Sequence, residues 1–324
     1  MARRSLNPFR EMLLLFWLAR LMRRERPDVI HGFTIKCAIY GAIAARFVGA
    51  GRVSSITGMG YVYTSKDLKA RLLAPVVRTL MGLALGGRDA RVILQNPDDQ
   101  RFFAAAGIVP ADHVRLIPGS GVDCSRFAPT PEGVAPRAER LRVVLVGRML
   151  WDKGIAEFVA AAKLLRAEGR ALDFVLAGDV DTGNPASVPE QVLREWEVAG
   201  DVRWLGHVSD MPALLNGADV VVLPSYREGL PKSLIEAAAC AKPMVTTDVP
   251  GCREVVTDNV DGLVVPVCDS EALARAIARL QDDPALAHRL GQAARRKALL
   301  LFDERHIIAS TMSVYDEVCG QPNR

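Results

Sequence analysis

Short runs of β-branched and other apolar residues alternate along the chain with longer segments of helical periodicity. The runs that predict strands are Asp28–His31, Arg52–Thr57, Arg91–Gln95, Val114–Ile117, Arg142–Val146, Asp173–Ala177, Val202–Leu205, Asp219–Leu223, Pro243–Thr246 and Leu263–Val265. Continuous apolar strands that alternate with helices are typical of parallel sheets covered by helices on both faces. The pattern therefore predicts an α/β protein built from doubly wound, Rossmann-like sheets.

The alternation is interrupted at residues 128–140, which read APTPEGVAPRAER. Prolines, a glycine and charges in such a short stretch are typical of a surface linker. A new strand pattern begins directly afterwards at Leu141. We therefore predict an N-terminal domain over 1–135, a second domain over 136–302, and a C-terminal helix, 303–324, that could pack back on the first domain.

Composition narrows the class of protein. The net charge is +4, but residues 1–130 carry 19 Lys and Arg against 9 Asp and Glu, which indicates an anionic surface or ligand for this half. Only 6% of residues are aromatic, and no basic run is interleaved with stacking rings, so nucleic acid is not the expected partner. Six cysteines without a C-x-x-C motif favour a reducing cytoplasm, and neither a signal peptide nor a spanning apolar run is apparent.

A glycine and two cations follow the first strand of the second half. Leu141–Gly154 reads LRVVLVGRMLWDKG, so Gly147 ends the strand and Lys153 precedes the next helix. Glycine permits a sharp turn at the carboxyl end of a parallel strand, where ligands bind in such sheets. Arg148 and Lys153 could clamp the oxygens of a diphosphate, or they could be surface charges on a loop.

Two glutamates lie in a second segment, Tyr226–Cys240, which reads YREGLPKSLIEAAAC. Pro231 suits the first position of a helix, whose N-terminus favours a phosphate. Glu236 lies among apolar residues, where a carboxylate is costly unless it is hydrogen-bonded, and it could accept two hydrogen bonds from a vicinal diol. Glu228 could reach sugar hydroxyls. The alternative is that Glu228 caps the helix and Glu236 is simply exposed.

The motif D-x-D occurs once in this half, as Asp179-Val180-Asp181. This motif binds metal ions in enzymes of a different fold. Here it follows a strand and Gly178 in a loop rich in Gly, Asn and Pro, so we interpret it as turn chemistry.

Taken together, these segments resemble glycosyltransferase family 4, whose members are retaining enzymes of the GT-B fold. The matching pieces lie in register over residues 142–266 and read GRMLWDKG, FVLAG, WLGHVSDMPALLNGADVVVLPSYREGLPKSLIEAAACAKPMVTTDVPGCREVV and DGLVVP. The resemblance implies two Rossmann-like domains with a cleft between them.

The resemblance also implies roles for residues. Arg148 and Lys153 would neutralise the donor diphosphate, Glu236 would hold the nucleotide ribose, and Val208 would contact the nucleobase through its main chain. Glu228 would position the donor sugar together with the backbone of Gly229, Leu230 and Pro231, while Gly147 lies in the donor-binding turn. Transfer would proceed without a metal or other cofactor.

In the first half, HGFTIK and ITGMGYVYTS resemble the subgroup that extends capsule, O-antigen or other glycans on polyprenyl diphosphate. Thr57 and Gly58 could approach the donor, or they could belong to an ordinary turn. His31 and Lys36 could meet an acceptor phosphate, or they could be a structural histidine and a surface lysine. Many family members carry a histidine near the end of the strand that here ends Ile56-Thr57-Gly58. This chain has none there, so we assign no general base.

The segment Pro8–Arg26 combines a strongly apolar stretch containing Trp17 with a basic end. It could lie on an anionic bilayer or pack as a core-facing helix. In the resembling enzymes, several strands and a glycine-rich loop precede this helix, so we expect the N-terminal domain to be incomplete.

The expected function is retaining transfer of a sugar from a nucleotide donor, expected to be a UDP-sugar, to a polyprenyl-diphosphate-linked glycan at the inner face of the membrane. A nucleotide-sugar-binding protein with impaired catalysis is the alternative. A sugar-nucleotide epimerase of the same architecture is a third hypothesis.

Overall fold

The structure is a computed structural model that describes residues 8–57, 68–130 and 140–319, with side chains omitted for 8, 68–74 and 76. The chain divides into two compact units. One unit contains Met1–Pro118 and Ile307–Arg324, and the other contains Gly119–His306.

The first unit is built on a four-stranded parallel sheet of order β1-β2-β3-β4. Its strands are β1 (Val29–Phe33), β2 (Gly51–Ile56), β3 (Ala90–Leu94) and β4 (Val114–Leu116), and its helices are α1 (Pro8–Glu25), α2 (Ile35–Arg46), α3 (Leu68–Leu85) and α4 (Pro97–Ala105). Ile56, Met81, Leu94 and Phe103 are fully buried in its main core. Asn96 caps α4, because its side chain accepts a hydrogen bond from the Asp99 backbone N–H.

The second unit contains a six-stranded parallel sheet of order β10-β9-β8-β5-β6-β7. The strands are β5 (Leu141–Val146), β6 (Leu172–Ala177), β7 (Arg203–Trp204), β8 (Val220–Leu223), β9 (Met244–Thr247) and β10 (Leu263–Val265). The helices are α5 (Ile155–Ala167), α6 (Glu190–Val198), α7 (Met211–Asn216), α8 (Lys232–Ala239), α9 (Cys252–Val255), α10 (Ser270–Asp282) and α11 (Pro284–Lys297).

Both faces of this second sheet are buried. Along β5, Val143 and Leu145 belong to one apolar core, whereas Val144 and Val146 belong to another. Successive side chains of a strand point to opposite faces, so a strand between two helical layers must be apolar throughout. The predicted doubly wound parallel architecture is therefore confirmed, and all ten predicted strands are present with ends shifted by at most a few residues.

The division between the units lies after Pro118, before the proline-rich segment that predicts a boundary near residue 135. The reason is that Val122, Cys124 and Phe127 pack into one core of the second unit. The Val122 N–H also donates to the Phe302 carbonyl at 2.9 Å. A change in composition thus indicates an exposed segment, but not the residue at which the packing changes.

The last helix, α12 (Glu304–Cys319), contributes its residues from Ile307 onward to the first unit. Val314 and Val318 pack with Val53 of β2 in a small second core. Glu317 accepts hydrogen bonds from Arg91 and Arg115 at 2.8 and 2.9 Å, and these guanidinium groups lower its pKa to about 2. Among the helices in the described parts of the chain, none has the length and apolar character needed to cross a membrane.

Gly154 of the second unit is required by both backbone conformation and space. Gly154 has φ +73°, and a Cβ at this position would overlap the carbonyl group of Pro224. Gly169 has the same φ of +73°, but nothing lies within 4 Å of its Cβ position. The pair separates the effect of backbone strain from that of steric overlap.

We therefore expect Gly169→Ala to lower the free energy of unfolding by about 1 kcal/mol, through strain alone. Gly154→Ala should lower it by about 2–4 kcal/mol, because the loop after β8 must also move. Urea unfolding followed by tryptophan fluorescence measures both, since three of the four tryptophans lie in the second unit. Equal losses in the two variants would contradict the steric contribution.

Candidate functional site

The loops that follow β5 and β6 approach each other closely at the carboxyl edge of the second sheet. The Gly147 N–H donates to the Ala177 carbonyl at 3.0 Å. Gly178 has φ +141°, and a Cβ there would overlap the Gly147 carbonyl group. Since β5 lies between β6 and β8, the sheet changes winding direction at this point, which is where ligands bind in open parallel sheets.

Lys153 and Glu228 meet on the two sides of this switch point. Lys153 ends a 3-10 turn, Trp151–Lys153, after β5, and Glu228 lies in the loop after β8. Their Nζ and Oε1 atoms are 2.5 Å apart, and the side chains are only 21% and 11% exposed. Neither residue is simply a surface charge, and the structure brings together two of the three residues predicted to act in catalysis.

The loop that carries Glu228 is fastened to the turn that carries Lys153. Ser225 Oγ and the Tyr226 N–H both donate to the Asp152 carbonyl at 2.9 Å. Tyr226 Oη also donates to Glu157 Oε1 at 2.7 Å, and burial raises the pKa of this phenol. Sequence reasoning missed these contacts, because most of them involve a backbone carbonyl that no side-chain pattern reveals.

The third predicted catalytic residue, Arg148, is half-exposed and has an acidic partner. Its Nη1 lies 2.5 Å from Asp181 Oδ2, and the Asp181 side chain is 16% exposed. The Asp181 carbonyl accepts a hydrogen bond from the Asn184 N–H, which is consistent with the predicted turn. Within the described residues, no group of three or more His, Cys, Asp or Glu could hold a metal ion.

Glu236 lies on α8, which begins one residue later than predicted. Pro231 has ψ 109° and precedes the helix as its N-cap residue instead of occupying the first helical position. Pro231 itself makes no side-chain capping hydrogen bond. Glu236 is 13% exposed, 3.9 Å from Lys232 Nζ, and burial raises its pKa. The alternative of a simply exposed glutamate is therefore wrong.

The remaining predicted donor-binding residues of the second unit lie in the loops after β7 and β8. Val208 follows β7 and packs half-buried against one core of the unit, as does Leu230. Gly251, in the motif P-G-x-x-E, has φ +81°, and a Cβ there would lie 2.7 Å from the carbonyl oxygens of Glu228 and Gly229. The glycine of this motif thus allows its loop to contact the backbone of Glu228 and Gly229. Sequence reasoning did not assign this role to the motif.

In the first unit, His31 is held by hydrogen bonds through both ring nitrogens. Nδ1 lies 2.7 Å from Tyr315 Oη, and Nε2 lies 2.7 Å from Ser55 Oγ. The ring also stacks on Phe33, with centroids 4.1 Å apart. Burial lowers its pKa to about 4, so the ring is neutral at pH 7. These contacts favour a structural histidine.

The remaining predicted residues of the first unit have different surroundings. Lys36 Nζ is 2.8 Å from Glu11 Oε1 and 5.6 Å from the centroid of the Tyr40 ring, so it is more than a surface lysine. Thr57 is exposed directly after β2. Gly58 lies outside the described residues.

Two family matches cover most of the chain. Residues 131–297 match the family described as glycosyl transferases group 1, and residues 1–119 match the glycosyl transferase 4-like domain. The chain therefore belongs to the glycosyl transferases group 1 family. It is a glycosyltransferase, and the resemblance drawn from its motifs is confirmed.

Similar curated proteins act on lipid-linked sugars. The chain is 30% identical to the N,N'-diacetylbacillosaminyl-diphospho-undecaprenol alpha-1,3-N-acetylgalactosaminyltransferase of Campylobacter jejuni, over 98% of this chain and 84% of that protein. It is 26% identical to the UDP-Gal:alpha-D-GlcNAc-diphosphoundecaprenol alpha-1,3-galactosyltransferase of Escherichia coli, over 87% of this chain and 74% of that protein.

Solved structures confirm the GT-B fold. Sucrose-phosphate synthase from Thermosynechococcus elongatus has a TM-score of 0.80 at 24% identity, covering 95% of this chain and 77% of that one. Anabaena HepE, solved in complex with UDP, has a TM-score of 0.76 at 24% identity, covering 93% of this chain and 82% of that one.

The lowered pKa of His31 predicts a pH dependence of stability. As the pH falls from about 6.5 to about 4, the unfolded chain binds a proton that the folded ring resists, so the folded state loses stability. His31→Gln should show a smaller loss between about pH 7.5 and about pH 5. Urea midpoints followed by circular dichroism measure this difference, and identical losses in both proteins would contradict it.

Proposed function

We propose that this chain transfers a sugar, with retention of configuration, from a UDP-sugar to a polyprenyl-diphosphate-linked glycan during synthesis of a cell-surface polysaccharide. The observation that carries the donor half of this proposal is the Lys153–Glu228 pair at the switch point of the second sheet. It places a cation for phosphate beside a carboxylate for sugar hydroxyls, in a site that is mostly shielded from water.

The donor is held by residues of the loops after β5, β7 and β8. Arg148 and Lys153 bind the diphosphate, because ionised donors form short, strong hydrogen bonds to phosphate oxygens. Glu236 accepts hydrogen bonds from the two ribose hydroxyls, which offset the cost of its burial. The sugar and the base contact the backbone of this region, at Gly147, Val208, Gly229, Leu230 and Pro231.

The chemical step depends on stabilising the leaving group. The bond between the anomeric carbon and the diphosphate breaks, leaving positive charge on the sugar and negative charge on the phosphate. Arg148 and Lys153 neutralise the departing phosphate in place of a metal, and Glu228 fixes the sugar. The acceptor oxygen bonds to the anomeric carbon on the face from which the diphosphate departs, and its proton passes to the departing phosphate oxygen. Attack on that face retains the configuration.

The names of the relatives support the donor and acceptor classes. Both curated relatives act on sugars linked to undecaprenol diphosphate, one of them uses UDP-Gal, and HepE was solved with UDP. In the first unit, we assign Lys36 to the acceptor side, and Thr57 and Gly58 to the donor side. The ion pair of Lys36 with Glu11 must open for Lys36 to contact an acceptor phosphate.

Purified protein should release UDP from one of a panel of UDP-sugars only when a polyprenyl-diphosphate sugar is present.

Glu236→Ala should weaken UDP binding about tenfold or more, because a hydrogen-bonded charged group is lost. Isothermal titration calorimetry measures the affinity. Glu190→Ala is the matched control, since Glu190 is an exposed helix residue of the same unit.

Three other outcomes would contradict parts of this proposal. Unchanged affinity in Glu236→Ala would exclude the ribose contact. UDP binding without any transfer across the donor panel would favour a binding protein without catalysis. Turnover of the UDP-sugar in the absence of acceptor would favour an epimerase.

The proposal also includes attachment to an anionic membrane surface through one face of α1. Large apolar side chains on this face are 57–76% exposed, namely those of Phe9, Met12, Leu13, Phe16 and Trp17. Arg20, Arg23 and Arg24 continue the same helical face toward the C-terminal end and are also exposed. An apolar stripe that adjoins a basic one matches the acyl and phosphate layers of an anionic bilayer.

Flotation with vesicles tests this attachment. The protein should float with phosphatidylcholine vesicles that contain phosphatidylglycerol, and much less with phosphatidylcholine alone. Leu13→Ser with Phe16→Ser should abolish flotation, whereas Val198→Ser, on an exposed helix end of the other unit, should not. Brominated lipids should quench Trp17. Flotation unaffected by the α1 variants would contradict the assignment.

A further inference from the structure

Asp181 lies beside Arg148, which the proposed function assigns to the donor diphosphate. The proposed function gives the Asp181 carboxylate no role. Its Oδ2 is 2.5 Å from Arg148 Nη1. The pair is asymmetric, because the Asp181 side chain is 16% exposed and that of Arg148 is 49% exposed. Asp181 is therefore the more fixed member, and the guanidinium group is the more accessible one.

The backbone around Asp181 is held in place on both sides. The Met149 N–H donates to the Asp179 carbonyl at 2.9 Å, and the Gly178 N–H donates to the Gly206 carbonyl at 2.7 Å. The Asn184 N–H closes the turn on the Asp181 carbonyl at 2.8 Å. The loop after β6 thus keeps its carboxylate next to Arg148.

A carboxylate at this position competes with a phosphate for the same cation. Both are oxygen anions that accept hydrogen bonds from guanidinium N–H groups, so each weakens the hold of the other. The competition is strongest for the product, because a free nucleoside diphosphate has an additional ionised oxygen that is esterified in the sugar donor. Release of product limits turnover in many enzymes.

We propose, on the basis of the function proposed above, that Asp181 competes with the nucleotide diphosphate for Arg148 and so promotes release of the nucleoside diphosphate product. Asp181 contacts neither sugar nor acceptor in this proposal, and it acts on the ligand through Arg148. Asp181→Asn keeps the size of the side chain and removes its charge, so this variant isolates the competition.

The test is titration calorimetry with UDP on four variants. Asp181→Asn should bind UDP up to about fivefold more tightly than the unaltered protein, as expected for an exposed ion pair. Asp179→Asn is the matched control, because it removes the same charge two residues away, where Asp179 faces His207 at 3.5 Å. It should change the affinity less than twofold. In an Arg148→Ala background, Asp181→Asn should raise the affinity for UDP less than twofold, because the cation for which the two anions compete is absent.

Steady-state kinetics supply a second readout. UDP should inhibit Asp181→Asn more strongly as a product than it inhibits the unaltered protein, with a smaller change in the KM for the UDP-sugar. A purely structural role for Asp181 would not separate these two constants.

The outcomes distinguish this inference from the function on which it rests. If the unaltered protein binds UDP and Asp181→Asn binds it equally or more weakly, the competition is overturned, and Asp181 instead orients Arg148. An equal gain in UDP affinity in Asp179→Asn would also overturn the competition, since loss of any nearby negative charge would then explain the tighter binding. If neither the unaltered protein nor any variant binds UDP at millimolar concentration, the proposed function and this inference both fail.

Discussion

The close approach of backbone loops at the carboxyl ends of β5, β6, β8 and β9 is the constraint on which the candidate site depends. Gly178 allows the loop after β6 to touch Gly147, Gly154 allows the start of α5 to touch Pro224, and Gly251 allows its loop to lie under Glu228. A side chain at any of these positions would force two loops apart. Since the charged residues stand on these loops, backbone packing sets the distances between the charges.

Those distances leave each proposed phosphate-binding cation beside a carboxylate. Lys153 lies next to Glu228, and Arg148 lies next to Asp181, both at 2.5 Å. An unpaired charge in the less exposed of these positions would be costly, so the pairs lower the cost of holding cations at the site. The two pairs differ in exposure, which makes the Arg148 pair easier to exchange with solvent ions and ligands than the Lys153 pair.

The sequence was sufficient to predict the strands and the loops on which the candidate residues lie, for identifiable reasons. Parallel strands buried on both faces leave continuous apolar runs, and glycines mark the turns after them, so β5 and Gly147 could be predicted. The Lys153–Glu228 contact joins residues 75 apart and requires β5 and β8 to be neighbours, which a pattern along the chain does not specify. The contact of His31 with Tyr315 depends on the packing of α12, and the Asp181–Arg148 contact depends on the conformation of two loops.

The buried carboxylate of Glu236 shows how such a site relates stability to binding. Its raised pKa means that the folded protein holds the charged form less favourably than water does. A neutral residue at position 236 would let α8 bury its apolar face at a lower cost in free energy. Packing alone therefore does not explain the glutamate. Ligand hydroxyls that donate to the carboxylate would recover the lost solvation, and ligand binding would then stabilise the second unit. On the function proposed above, recognition of a ligand explains this glutamate better than folding does, whereas the hydrogen bonds at both nitrogens of His31 are explained by folding alone.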